Sequence, residues 1–77
     1  MMVEVQLWSH LAEYAPEKQK AFNLKLDPGT NIGMLLSILK IPSEIPRVIL
    51  VNGHQAKDET SLTDGDEVVI FPPAAGG

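Results

Sequence analysis

Apolar and polar residues alternate with period two in two stretches near the start of the chain. Val3, Val5 and Leu7 alternate with Glu4, Gln6 and Trp8, the pattern of a strand with one buried face. Trp8 falls on the parity of Glu4 and Gln6, away from the core set. Phe22, Leu24 and Leu26 alternate with Ala21, Asn23 and Lys25 in the same way, so the two stretches predict a hairpin. Residues 10–19 between them are mostly polar, contain Pro16 and read as a turn or loop. After the turn chemistry of Asp27-Pro28-Gly29 the period changes: Ile32, Leu35, Leu36 and Leu39 recur at helical spacing. Thr30 is placed to cap that helix through its hydroxyl. Gly33 inside the helix costs about 1 kcal/mol relative to Ala, a cost that a close approach of helix to sheet would explain. Pro42 and Pro46 end the helix and lead to the next strand.

Residues 47–52 are apolar on both parities, which predicts a central strand. Asn52-Gly53 is a turn signal. Residues 54–63 are polar apart from Ala56 and Leu62, a loop with room for one short pairing segment. Asp64-Gly65-Asp66 is a further turn that feeds a last strand, Glu67–Phe71. The order is strand, strand, helix, strand, turn-rich segment, strand. A single helix covers only one face of such a sheet. The prediction is an α+β protein with a β-grasp (ubiquitin-like) roll, its mixed sheet packed on one helix, over residues 1–71. Residues 72–77 form an extended, flexible Gly-Gly tail.

Parity also sorts the last strand. If Val68 and Ile70 meet the helix, Val69 and Phe71 point to the uncovered face. Trp8 and one of the two apolar sets of residues 47–52 join them there, and parity leaves open which set. An uncovered sheet face that carries Trp, Phe and β-branched residues is a candidate docking surface. Trp8, Val69 and Phe71 are the candidate partner-binding residues, so Phe71→Ser should weaken partner binding without unfolding the domain.

Composition narrows the function classes. The chain has 77 residues, no cysteine and 44% apolar residues, so the core rests on aliphatic packing alone. The formal net charge is −4 and the six cations are dispersed. No basic stripe tracks a phosphate backbone, so nucleic acid is not an expected partner. No apolar run approaches the ~20 residues of a membrane span, and the N-terminus lacks a signal-peptide pattern. The expected location is the cytoplasm. His10 and His54 lie in separate polar stretches, and no nucleophile has a visible base. Asp58, Glu59, Asp64, Asp66 and Glu67 do not fit the spacing of a calcium loop, so no metal site is expected.

The chemistry that remains lies in the tail, Pro72-Pro73-Ala74-Ala75-Gly76-Gly77. Two prolines favour an extended exit from the sheet and reduce the entropy lost on capture by a partner. Six residues reach at most ~20 Å at about 3.3 Å each, enough to cross a partner's wall to a buried active site. Gly76 and Gly77 add no bulk at the narrowest point. A terminal carboxylate on Gly77 becomes reactive once activated, for example as an acyl-adenylate.

From Asp64 through Phe71-Pro72-Pro73 to Gly76-Gly77, the chain resembles the C-terminus of the MoaD/ThiS sulfur-carrier family, and within it the MoaD branch, the small subunits of molybdopterin synthase. Val51-Asn52-Gly53, the turn at Leu62 and the helix entry Pro28-Gly29-Thr30 are similar to the wider family. The resemblance implies that a MoeB/ThiF-like adenylating enzyme, using ATP and magnesium, activates Gly77. A sulfur donor protein then supplies the sulfur of a C-terminal thiocarboxylate. It further implies that the tail, with Ala74, Ala75 and Gly76 permitting passage, inserts into a MoaE-like large subunit that performs the catalysis. The chain itself is then no enzyme and binds no cofactor. Residues 40–46 are shorter than in typical MoaD chains and nearer to ThiS, whereas the Phe-Pro-Pro exit favours MoaD. A ThiS-like role in thiamine or another sulfur-requiring synthesis, and a ubiquitin-like modifier role, are the alternatives.

Overall fold

A computed structural model describes residues 1–73. The chain runs β1 (Met2–Leu7), β2 (Ala21–Lys25), α1 (Ile32–Ile38), β3 (Val48–Val51), β4 (His54–Gln55) and β5 (Glu67–Phe71). These strands form one mixed sheet in the order β2-β1-β5-β3-β4. β1 pairs antiparallel with β2 and parallel with β5, and β3 pairs antiparallel with both β4 and β5. With α1 on one face this is the β-grasp roll that the element order predicts.

The alternating residues do as their period requires. Val3, Val5, Leu7, Ile49, Val68 and Ile70 turn to the helix side and are buried, and Ile32, Leu35, Leu36 and Leu39 of the helix region meet them. Phe22, Leu24 and Val51 pack half-buried at the margins of the same core. β3 is an interior strand, paired with β5 on one side and β4 on the other, as its run of apolar residues predicts, and β5 lies at the centre of the sheet. β3 is second from the edge, and only the two-residue β4 lies beyond it. Ile49 and Val51 serve the core, while Val48 and Leu50 stay half-buried on the uncovered face.

Three local expectations are corrected. Residues 10–19 are not a plain loop: two 3₁₀ turns, Ser9–Tyr14 and Pro16–Lys18, bury Leu11 completely and Ala15 nearly so, closing one end of the core. The helix cap is Asn31, whose side chain accepts from the backbone N–H of Met34 at 2.9 Å. Thr30 is buried, and its hydroxyl instead donates to the Asp27 carbonyl, tying off the preceding turn. Gly33 does lie in a close approach, but to the segment after β4 rather than to the sheet. Its N–H donates to the Asp58 carbonyl at 2.8 Å, and an added Cβ would sit 3.4 Å from that oxygen.

The helix ends in a paired-carbonyl cap. Ile41 donates to Leu36 and Lys40 to Ser37, with Lys40 in the left-handed region at φ 61°. The β3–β4 hairpin turns at Asn52-Gly53, both with positive φ, as a two-residue hairpin favours. The Asn52 side chain also accepts from Glu67 N–H and donates to Asp66, which fixes where β5 starts. Asp66 accepts further from the backbone N–H and the hydroxyl of Thr63. The Thr63 N–H holds its carboxyl below the usual range. Burial opposes that, and the side chains of Asn52 and Thr63 add to the lowering.

Candidate functional site

Because β5 is paired on both sides, its outward residues sit in the middle of the uncovered face. Val69 lies beside Gln6 of β1 and opposite Leu50 of β3, and Phe71 lies opposite Val48. Laterally paired residues share a face of the sheet. Val48 and Leu50 are therefore the set of β3 that joins Val69 and Phe71, a choice that parity left open. All four are half-buried.

Trp8 immediately follows β1 and prolongs its pairing, its N–H donating to the Ile70 carbonyl at 3.0 Å. Trp8 is 51% exposed, a large apolar residue left in water. Two contacts hold it there. Its Nε1–H donates to Gln6 Oε1 at 3.2 Å, and its ring meets the Phe71 ring at a centroid distance of 6.0 Å and an interplanar angle of 41°. Tilted aromatic pairs of this kind add about 0.5–1.5 kcal/mol beyond area burial. Trp8 is thus oriented before any partner arrives.

Trp8 and Phe71 frame a groove of about 490 Å³, also lined by Ser9, Lys20 and Pro72. Pro72 is half-buried in it and Pro73 is exposed, so the chain leaves the sheet along the groove wall. Ser9, at φ 58°, turns the chain sharply away after Trp8 and opens the groove's other side. Ser9 and Lys20 were not singled out from the sequence. Lys20 is one of several dispersed lysines there, and only the β1–β2 pairing brings it beside the end of β5. Ala74, Ala75, Gly76 and Gly77 lie outside the described residues.

Little else competes for a role. His10 and His54 are exposed on separate elements, at the first 3₁₀ turn and on β4. Among the described residues no group of His, Cys, Asp or Glu is arranged to hold a metal ion, and no buried side-chain polar atom lacks a partner. Nor is any helix among them long and apolar enough to cross a membrane.

The ThiS family model matches residues 5–77. The chain belongs to the ThiS family. Solved structures similar to this ThiS-family chain include SAMP1 from Haloferax volcanii, with 25% identity, full coverage of both chains and a TM-score of 0.78. The HVO 2177 protein of Haloferax volcanii is 28% identical with a TM-score of 0.80, over 100% of this chain and 87% of that one. A complex of subunits 1 and 2 of the molybdopterin-converting factor from Helicobacter pylori contains a chain 29% identical, with full coverage of both and a TM-score of 0.65. No curated protein matches the sequence. The chain is therefore a ThiS/MoaD-type sulfur carrier or a ubiquitin-like modifier of the SAMP kind.

Proposed function

We propose that this ThiS-family chain is a sulfur carrier whose Gly77 carboxylate is adenylated and converted to a thiocarboxylate. It then donates that sulfur in molybdopterin formation as the small subunit of a molybdopterin synthase. The observation that carries the reading is the root of the tail: an oriented Trp8–Phe71 pair and an apolar sheet face flank the point where Pro72 leaves the fold. A partner that covers this face receives the tail directly. The Phe-Pro-Pro exit and the existence of a similar chain in complex with a converting-factor subunit 2 support the molybdopterin destination over a thiazole one.

On this reading the domain contributes binding and delivery, not catalysis. An adenylating enzyme of the MoeB/ThiF type spends ATP, with magnesium, to turn the carboxylate into an acyl-adenylate. Sulfur at the sulfide level, supplied by a sulfur donor protein, attacks the acyl carbon and displaces AMP to leave the thiocarboxylate. In a MoaE-like large subunit that sulfur passes to the substrate, and hydrolysis returns Gly77 to a carboxylate. Gly76 and Gly77 supply the unhindered end, while Pro72, Pro73, Ala74 and Ala75 supply reach.

The test is intact mass spectrometry of the chain after incubation with the adenylating enzyme, ATP, magnesium and a sulfur donor. Exchange of one oxygen for sulfur adds about 16 Da at residue 77. An unchanged mass would remove the carrier reading. The modifier reading has a specific motive in the similarity to SAMP1. High-molecular-weight conjugates in cells that vanish on deletion of Gly76-Gly77 would favour it.

A further inference from the structure

The turn of the β3–β4 hairpin, Asn52-Gly53, pairs a reactive sequence with a tight clamp. Asparagine before glycine is the dipeptide most open to imide formation, because glycine has no Cβ to shield its backbone nitrogen. Asn23 and Asn31 precede Leu and Ile, so Asn52 is the one asparagine of the chain in that setting. Both turn residues are exposed, with φ of 52° and 83°. Water and base reach the site, and burial gives it no protection. Its protection comes from the start of β5. Asn52 N–H donates to the Glu67 carbonyl at 2.8 Å, and its Oδ1 accepts from Glu67 N–H at 3.0 Å. Its Nδ2 donates to Oδ1 of the buried Asp66 at 2.9 Å. Ring closure needs the same side chain turned onto the Gly53 nitrogen. Both side-chain bonds are then given up, and Asp66 is left short of a donor in a buried place, which is costly.

We propose that Asn52 is a site of spontaneous deamidation that the fold holds shut and that reacts only when the β3–β4 turn parts from β5. The Gly53 nitrogen gives up its proton and bonds to Asn52 Cγ, the Cγ–Nδ2 bond breaks, and the side-chain nitrogen leaves as ammonia. Water then opens the five-membered imide at either carbonyl, which leaves Asp or isoAsp at this position. No oxidant or reductant takes part. In the Asp product a carboxylate oxygen takes the place of the Nδ2 donor and faces the Asp66 carboxylate, where like charges repel. IsoAsp adds a methylene to the backbone of a two-residue turn, which the paired strands do not accommodate. Conversion is therefore one-way, since the clamp that protects asparagine does not re-form around either product. The molecule keeps a covalent record of having opened. This inference needs no partner and stands apart from the sulfur-carrier reading.

The test follows the full-length chain by mass spectrometry at mildly alkaline pH, folded in buffer and unfolded in urea. Each conversion adds about 1 Da, and fragment masses place it at residue 52. The folded chain is expected to convert at least about tenfold more slowly, because only the open fraction reacts. Asp66→Ala removes the acceptor of Nδ2 and is expected to speed conversion of the folded chain several-fold. Ile70→Val lowers global stability without touching the clamp, and is expected to leave the folded-state rate within about twofold. Asn52→Asp, which copies one product, is expected to lower Tm by about 4 °C or more. Equal rates in the folded and unfolded chain overturn the inference. So does equal acceleration by Asp66→Ala and Ile70→Val, which would make global unfolding the gate. An unchanged Tm in Asn52→Asp overturns the one-way character of the step. Should Asp66→Ala not fold, the folded and unfolded native chains decide the matter between them.

Discussion

Ile70 and Phe71 are consecutive residues of β5 on opposite faces of the sheet, and substituting each separates the core from the proposed docking surface. Ile70 is fully buried between sheet and helix. Ile70→Ala removes three carbons and leaves a cavity, at a cost of about 2–5 kcal/mol. A 77-residue domain holds roughly 4–12 kcal/mol of stability at about 0.05–0.15 kcal/mol per residue. That loss therefore approaches unfolding, and lowers Tm by at least about 8 °C at ~4–8 °C per kcal/mol. Phe71 is half-buried, and on the uncovered face its ring meets the Trp8 ring at a centroid distance of 6.0 Å. Phe71→Ser gives up the aromatic pair and part of a side chain's burial, about 1–2 kcal/mol in all. The domain remains folded with a Tm about 4–16 °C lower. Its effect on binding is larger, because an aromatic anchor at the centre of an interface is worth 2 kcal/mol or more, about 30-fold in Kd. Urea and thermal melts measure the first quantity, and titration into the adenylating enzyme measures the second. A Phe71→Ser variant that loses as much stability as Ile70→Ala, or that binds with unchanged affinity, would refute the assignment of this side chain to the docking face.

Two further outcomes follow from the scaffold. Asp66 has a carboxyl held below its ordinary value of 3.8, so its contribution is fully present above that value and is lost as pH falls through the lowered one. The stability gap between the native chain and Asp66→Asn, measured by urea melts from neutral to acid pH, should stay constant down to about pH 5 and then narrow. A gap that does not narrow would mean the native carboxylate gains nothing from its charge. Lys40 occupies the left-handed position after α1 at φ 61°. Lys40→Gly should raise stability by roughly 0.5–1 kcal/mol, the relieved strain exceeding the extra freedom of the unfolded chain. A lowered Tm would show that the lysine side chain supports the helix end in some other way.

The element order and core of this fold were legible in the sequence because both depend on period. Alternation placed Val3, Val5, Leu7, Val68 and Ile70 against a helix whose own stripe was Ile32, Leu35, Leu36 and Leu39, and these residues are buried. What escaped the pattern had no period to announce it. Leu11 and Ala15 plug the core from short 3₁₀ turns that look polar in sequence. Thr30 and Asn31 are both good caps, and only the path of the chain gave Asn31 the Met34 N–H and Thr30 the Asp27 carbonyl. β3 is interior, as its doubly apolar composition predicts, but composition could not tell which of its two apolar sets the helix would cover.

The tail shows the same division. Pro72-Pro73 followed by small residues and Gly76-Gly77, after a strand ending in Phe71, is the sequence feature on which the proposed delivery role rests. Covalent composition decides bulk, reach and reactivity, and these are properties of the chain before it folds. The surface at the root of the tail is different in kind. Trp8, Gln6, Lys20, Val48 and Phe71 are distant in sequence, and they meet because β1 pairs parallel with β5 while β2 and β3 run antiparallel beside them. Strand register is settled by the whole core at once, so the groove and the lysine at its side existed only after the sheet had closed on the helix.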